Sequence, residues 1–359
     1  MRKVHIELVK PGDKLAKPIF QDNGSILLGE GVELNDRFIT RLKALGIDVL
    51  FIEDGKTEDL EPEETIREET RKNAVDAVYS AMNSFKELSP KGRAIAPDMG
   101  RTFRSVFGQI MTDLSTRQDV LVNLTNIHTT DAYIFQHSVN VAVLAGIMGI
   151  AKGYNRIQLE ELGIGALLFD IGMTRVPQSL LAKDGALSKE EKLVLEKHTK
   201  DGFDILRKYH DISVVSAHCA LQHHERYNGS GYPRGLKADE IHMYAQIVGI
   251  ADAYDALTSP RPYRKRYTPT EAIEFLFASG NTYFDFELVK LFCRHISIYP
   301  VSTTLLLSSG QVGVVSANSE LALHRPRVRI IREADGKEPA SPYELELKDE
   351  LHLMIVKEL

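Results

Sequence analysis

Cysteine is scarce in this chain: only Cys219 and Cys293 occur, far apart in sequence. That excludes a disulfide-stapled scaffold and suits a reducing compartment, so a cytoplasmic setting is expected. Long apolar runs are missing too. The longest, Val139 to Ala151, is interrupted by Gly146 and Gly149 and falls short of the ~20 residues that span a bilayer. It reads as a core helix, and no membrane span is expected. The opening residues Met1 to Leu8 hold no apolar segment of the signal-peptide type. An excess of positive charge is also absent, since the formal net charge is −6. A mildly acidic chain is a poor general binder of DNA or RNA, though it can carry a local basic site for an anion.

The 359 residues, 43% of them hydrophobic and 26% charged, are enough for two or three domains with a sizeable core. Residues 1–60 read as a small mixed α/β module. Val4 to Leu8 alternates like a strand, and Asp22-Asn23-Gly24 marks a hairpin turn. Asn35 is placed to cap a helix carrying Phe38, Ile39, Leu42 and Leu45, which Gly46 stops before a strand over Val49 to Ile52. The module carries no visible chemistry and is read as regulatory or dimerising, with a homodimer or a signalling protein as its partner. Residues 61–119 begin as an acidic linker and continue as a helical connector. Residues 120–299 read as a compact all-helical domain. Residues 300–359 form a short β-rich appendage, with strands expected at Thr303 to Leu307, Gln311 to Val315, Val328 to Ile331 and Leu353 to Val356.

Within the helical domain, histidines and aspartates sit where helices aim inward. His137 lies on a helix whose apolar face is Val141, Leu144 and Met148. Asp170 ends another helix, after Leu162, Ala166 and Phe169. His198 is assigned to a helix opened by a Ser188/Glu191 capping box. His223 and His224 close a helix running through Val214, Ala217 and Leu221. Asp252 stands among Ile247, Val248, Ile250 and Ala251. Any one of these is an ordinary hydrogen-bonded core residue. Together they are buried imidazoles and carboxylates, which are costly unless paired or metal-bound. They offer nitrogen and oxygen donors suited to Fe, Mn or Zn.

Two further segments stand out. His223 to Pro233 reads HHERYNGSGYP, so Gly229 and Gly231 let backbone amides approach an anion just after paired donors. Arg261-Pro262-Tyr263-Arg264-Lys265-Arg266 breaks an acidic background with cations around one aromatic ring. A charge run is ordinarily a solvated face, but phosphate clamping by arginine with stacking by tyrosine gives a physical reason for this pairing.

In order along the chain, these segments resemble the HD-GYP domains. Tyr133 to Asn140 is similar to the opening motif of that family, and Asp170-Ile171-Gly172 with Val176-Pro177 to the second. Leu187 through His198 is similar to the third. The Gly231-Tyr232-Pro233 run, Asp252 to Thr258 and Arg261 to Arg264 complete the set. The resemblance implies a mainly α fold, hydrolysis of cyclic di-GMP or a related cyclic dinucleotide, and divalent metal, iron or manganese. Carried over by motif, His137, Asp170 and Asp252 would serve one ion, and Asp170 would bridge to a second held by His198, His223 and His224. Gly229, Gly231, Tyr232, Pro233, Arg261, Tyr263, Arg264 and Lys265 would shape the nucleotide site. Tyr133 stands where some members place a third-metal glutamate, so two ions at most are expected.

The chain departs from the pattern in its second motif. The family has His-Asp there, followed by Gly-Lys, whereas this chain has Phe169-Asp170 followed by Gly172-Met173. Asn228 replaces an aspartate. Loss of a ligand and of a cation predicts either a slow metal-dependent phosphodiesterase or a domain that binds the cyclic dinucleotide, or a partner protein, without turnover.

Overall fold

The computed structural model describes residues 1–20, 26–62, 65–86, 98–115, 133–181, 183, 185–259, 267–318 and 324–359. The chain opens with β1 (Arg2–His5), which pairs antiparallel with β4 (Val49–Ile52) so that Val4 faces Leu50. A second short pair, β2 (Ile19–Phe20) and β3 (Ile26–Leu28), flanks the expected turn, whose residues lie outside the described ones. Between β3 and β4 runs α1 (Asp36–Ala44), where Asn35 Oδ1 accepts from Phe38 N at 2.9 Å. Gly46, at φ +73°, takes the left-handed turn that ends it. Leu15, Ile19, Leu34, Leu42, Leu50 and Ile52 make the core of this unit. The strand expected through Leu8 stops at His5. A 3-10 turn over Ile6–Leu8 follows, because Ile6 is buried while Leu8 faces solvent.

The helical body contains α2 (Glu68–Lys86), α3 (Met99–Ser115), α4 (Tyr133–Ala151), α5 (Arg156–Leu168), α6 (Gln178–Leu181), α7 (Lys189–Glu196), α8 (His198–Leu206), α9 (Val214–Gln222), α10 (Met243–Thr258), α11 (Pro269–Ala278) and α12 (Phe286–Cys293). Capping boxes at Asn155/Gln158, Ser188/Glu191 and Thr268/Glu271 open α5, α7 and α11. Helix α4 is apolar apart from Gln136, His137, Ser138 and Asn140 in its first half. Among the described residues it alone is long and apolar enough to cross a membrane by length and composition. Here it is the central post: Val139, Val141, Ala142, Val143, Leu144 and Ala145 are all buried, with α2, α3, α5, α10 and α12 around it. Helices α2 and α3 thus belong to the same core as α4 and α5.

The chain ends in an antiparallel five-stranded sheet of order β8-β7-β6-β5-β9, formed by β5 (Thr304–Leu307), β6 (Val312–Ala317), β7 (Arg327–Arg332), β8 (Tyr343–Glu346) and β9 (Ile355–Glu358). The sequence reading missed β8, an edge strand whose Tyr-Glu-Leu-Glu alternation lasts only four residues. It also set β9 too early: Leu353 is a core residue that precedes the strand. This sheet docks on the opening unit. Lys3 N donates to Ser302 O at 2.7 Å, and Thr304 Oγ1 donates to Lys3 O at 2.7 Å. Ser302 Oγ donates to Leu60 O, and Arg329 ion-pairs with Asp59.

Candidate metal centre

Five segments of the helical body carry the candidate donors. His137 lies near the start of α4. Asp170 follows α5 and precedes a 3-10 turn over Ile171–Arg175. That turn lies so close to α8 that a Cβ on Gly172 would collide with the His198 carbonyl, so only glycine lets Asp170 come up against His198. His198 itself opens α8, separated from α7 by Lys197, rather than lying within one helix begun at Ser188. The break has a local cause. His198 Nδ1 takes the Leu195 carbonyl at 2.7 Å and Thr199 Oγ1 takes that of Glu196 at 2.8 Å. His223 and His224 come just after the last residue of α9. Asp252 and Asp255 stand one turn apart on α10.

The six donor candidates named from sequence come together. Nε2 of His198 lies 3.3 Å from Nε2 of His223, and Asp170 Oδ1 lies 3.5 and 3.6 Å from these two atoms. The ligand atoms of His198, His223 and His224 all lie within 4.8 Å of one another. Asp252 joins this group to His137: its Oδ2 is 4.0 Å from His224 Nδ1 and its Oδ1 is 3.0 Å from His137 Nε2. His137 Nδ1 meets Asp255 Oδ2 at 2.7 Å.

The protons around this group are decided by its backbone partners. Carbonyl oxygens only accept, and His223 Nδ1 faces those of Cys219 and Ala220 at 2.9 and 3.0 Å. His198 Nδ1 faces that of Leu195. Each ring therefore carries its proton on Nδ1 and turns an Nε2 lone pair toward the other. Burial presses His223 below its ordinary value of 6.5, so a second proton on that ring is disfavoured. Burial also holds His224 well below 6.5, with the His223 charge acting in the same direction. Burial alone would raise Asp252, but the hydrogen bond and charge of His137, with the neighbouring imidazoles, hold it well below the usual carboxylate range. Two facing lone pairs and a carboxylate contain no donor among them. Such a set fits a divalent cation.

The glycine-rich loop closes over His224. A Cβ on Gly231 would strike His224 O and Arg226 N, so the close approach requires glycine. Tyr232 N donates to His224 O at 3.2 Å, and the Tyr232 ring centroid lies 4.8 Å from that of His224. Gly229 adopts φ +83°, and Pro233 follows Tyr232 through a cis bond. Burial pushes the Tyr232 phenol up, with the Asp170 and Asp252 charges adding to it, so its hydroxyl stays protonated. Arg261, Tyr263, Arg264 and Lys265 lie outside the described residues, as does the side chain of Tyr133.

The sequence reading passed over four residues here. Asp255 fixes His137, and Asn140 Nδ2 donates to Asp255 Oδ1 at 2.8 Å. Buried Glu225 accepts from Arg234 N at 2.8 Å and Leu236 N at 2.9 Å, which fastens the loop from inside. Arg226 feels the Asp252 charge, stacks 5.0 Å from the Phe284 ring centroid, and its Nη1 has no hydrogen-bond partner among the described residues. The spacing of Asp252 and Asp255 held a signal, because a helix places residues three apart on one face. Phe169 fills the space beside the donors. Its ring centroid is 5.5 Å from that of His137 and 5.0 Å from that of His223, both edge-on.

Comparison with known proteins follows the same outline. Residues 119–288 match the HD domain family, and residues 304–359 match a KOW domain associated with HD domains. A cyclic di-GMP phosphodiesterase of Pseudomonas aeruginosa is 33% identical over 231 residues, 64% of this chain and 56% of that protein. Residues 119–288 of the chain are an HD domain. A second relative, the cyclic di-GMP phosphodiesterase response regulator RpfG of Xanthomonas campestris, is 36% identical over 152 residues, 42% of this chain and 40% of that protein. The chain spans about half the length of the curated relatives it matches. A solved HDG"Y"P protein from Bdellovibrio bacteriovorus aligns over 81% of this chain and 97% of its own, at 19% identity and TM-score 0.49.

Proposed function

We propose that this HD-GYP domain is a metal-dependent phosphodiesterase that opens cyclic di-GMP or a related cyclic dinucleotide. The observation that carries the reading is the pair of Nε2 lone pairs of His198 and His223 facing each other at 3.3 Å beside Asp170. His198, His223, His224 and Asp170 would hold the ion, and Asp252 with His137 would complete the surround. Iron or manganese suits this nitrogen and carboxylate set, with two ions at most. When bound, the ion supplies Lewis-acid chemistry, neutralising phosphodiester charge and making water a better nucleophile near neutral pH.

The remaining work falls to the chain's own side chains. Asp170 is the carboxylate placed to orient an attacking water, since it touches both His198 and His223. The Tyr232 hydroxyl is a neutral donor for a phosphate oxygen. Arg226 stays charged although burial lowers it, and among the described residues nothing takes the hydrogen bond of its Nη1. Gly229, Gly231 and Pro233 shape the loop that positions these groups, and Arg261, Tyr263, Arg264 and Lys265 would hold the nucleotide. The compartment assigned is the cytoplasm, where the two buried thiols remain unpaired.

The test uses the full chain loaded with Mn²⁺ or Fe²⁺ and given cyclic di-GMP. Linear dinucleotide is the expected product, and none after long incubation at confirmed metal occupancy would sink the reading. A second reading is a receptor that binds the nucleotide without turnover. Phe169 favours it, because an apolar ring at 1% exposure stands where the resemblance places a ligand. Activity that appears only in the Phe169→His, Met173→Lys double variant would decide for the receptor.

A further inference from the structure

Arg71 sits on α2, outside the residues that match the HD domain, yet it is buried to 6% exposure. Its Nη1 donates to Asn140 Oδ1 at 2.7 Å. The amide of Asn140 then turns its Nδ2 to Asp255 Oδ1 at 2.8 Å. Asp255 Oδ2 meets His137 Nδ1 at 2.7 Å, and His137 Nε2 meets Asp252 Oδ1 at 3.0 Å. The series is polar at every joint, with Asn140 half-buried and Arg71, Asp255, His137 and Asp252 buried. Arginine is always a donor, so it fixes which way the Asn140 amide points. The oriented amide must then present its N–H to the carboxylate. With one Asp255 oxygen held by Asn140, the other is aimed at His137. Asp252 is the last member, and its second oxygen faces His224 at 4.0 Å.

We propose that Arg71 is a positioning residue for the metal centre, acting through Asn140, Asp255 and His137 to set the orientation of Asp252. The inference rests on the metal-centre reading above and adds to it a part supplied from outside the matched domain. It differs from a packing role, because α2 also holds α4 by apolar contacts from Ala74, Val78 and Met82 that would survive the loss of the guanidinium.

The test measures Mn²⁺ affinity by titration calorimetry on the full chain, with no nucleotide present. A direct partner of a metal ligand is worth about 10- to 100-fold in metal affinity; Arg71 stands further back, so Arg71→Met should weaken Mn²⁺ by about 3- to 10-fold. In the Asp255→Asn background the same substitution should add nothing, which a general packing defect would not reproduce. If Arg71→Met fails to fold by circular dichroism, Arg71→Lys carries the test: it keeps the charge but loses the planar fork, and should weaken Mn²⁺ measurably. Unchanged affinity in the folded variant, or a full additional loss in the Asp255→Asn background, overturns the role of Arg71 alone. A parent chain that binds no Mn²⁺ overturns both this role and the metal reading beneath it.

Discussion

The two halves of the donor cluster solve the same burial problem in opposite ways. On one side, His137 has a carboxylate on each ring nitrogen, and Asp255 has Asn140 behind it. Every polar atom named there has a partner. On the other side, His198 and His223 spend their only protons on backbone carbonyls and turn lone pairs on each other and on Asp170. The first half is complete within the protein. The second is left with acceptors facing one another, which a bound cation would satisfy. Asp252 belongs to both, so the finished half can serve as the template that aims a ligand into the unfinished one.

Removing an imidazole from the unfinished half is the harshest way to test this contrast. His223→Ala should lower Mn²⁺ affinity by more than about 100-fold, beyond what loss of a supporting partner does; a calorimetric titration showing a smaller drop would erase the distinction between the halves. Next comes the wedge between them. Phe169→His with Met173→Lys restores a ligand and a cation, and should raise cyclic di-GMP turnover by about 10- to 100-fold in a product assay. Equal rates for parent and variant would mean that Phe169 limits nothing. A milder change strikes the finished half: Asp255→Asn should weaken Mn²⁺ by about 10-fold and destabilise the metal-free fold by about 1–3 kcal/mol in a urea titration.

The smallest effect is on pH. His223 and His224 have folded values below the unfolded 6.5, so between those values the unfolded chain binds more protons. Metal-free stability is therefore full above pH 6.5 and declines as the pH falls below it. Asp252, depressed from 3.8, deepens the loss further into acid. The melting temperature should drop by roughly 2–4 °C for each 1 kcal/mol lost. Mn²⁺ should keep the curve level to lower pH, because it competes with protons for the same nitrogens. A metal-free curve that rises on acidification would contradict the neutral-imidazole assignment.

Much of this was legible in the sequence. The six donors carried their own signal, because polar side chains on otherwise apolar helix faces stand out. The loop after His224 was legible from its glycines. Asp255 was not, because an acid three residues after another on a helix looks like an ordinary second carboxylate until its partner is seen. Arg71 and Asn140 were hidden more deeply, since their meaning lies in a contact across 69 positions that no local pattern encodes. The break at Lys197 lacked glycine or proline to announce it and arose from side chains capturing carbonyls. The strand β8 alternates over four residues only, too short a run to stand out, and the docking of Lys3 on Ser302 and Thr304 left no local mark at all.

That docking reaches into how the polypeptide assembles. The Thr304 hydroxyl reaches the Lys3 carbonyl across 301 positions, so β1 and β4 leave the ribosome long before the segment that covers them. Until residue 304 appears, the edge of this early pair stands open, and closing so wide a loop is among the slower events in folding. The helical body has to be largely made before the first strands of the chain are finished.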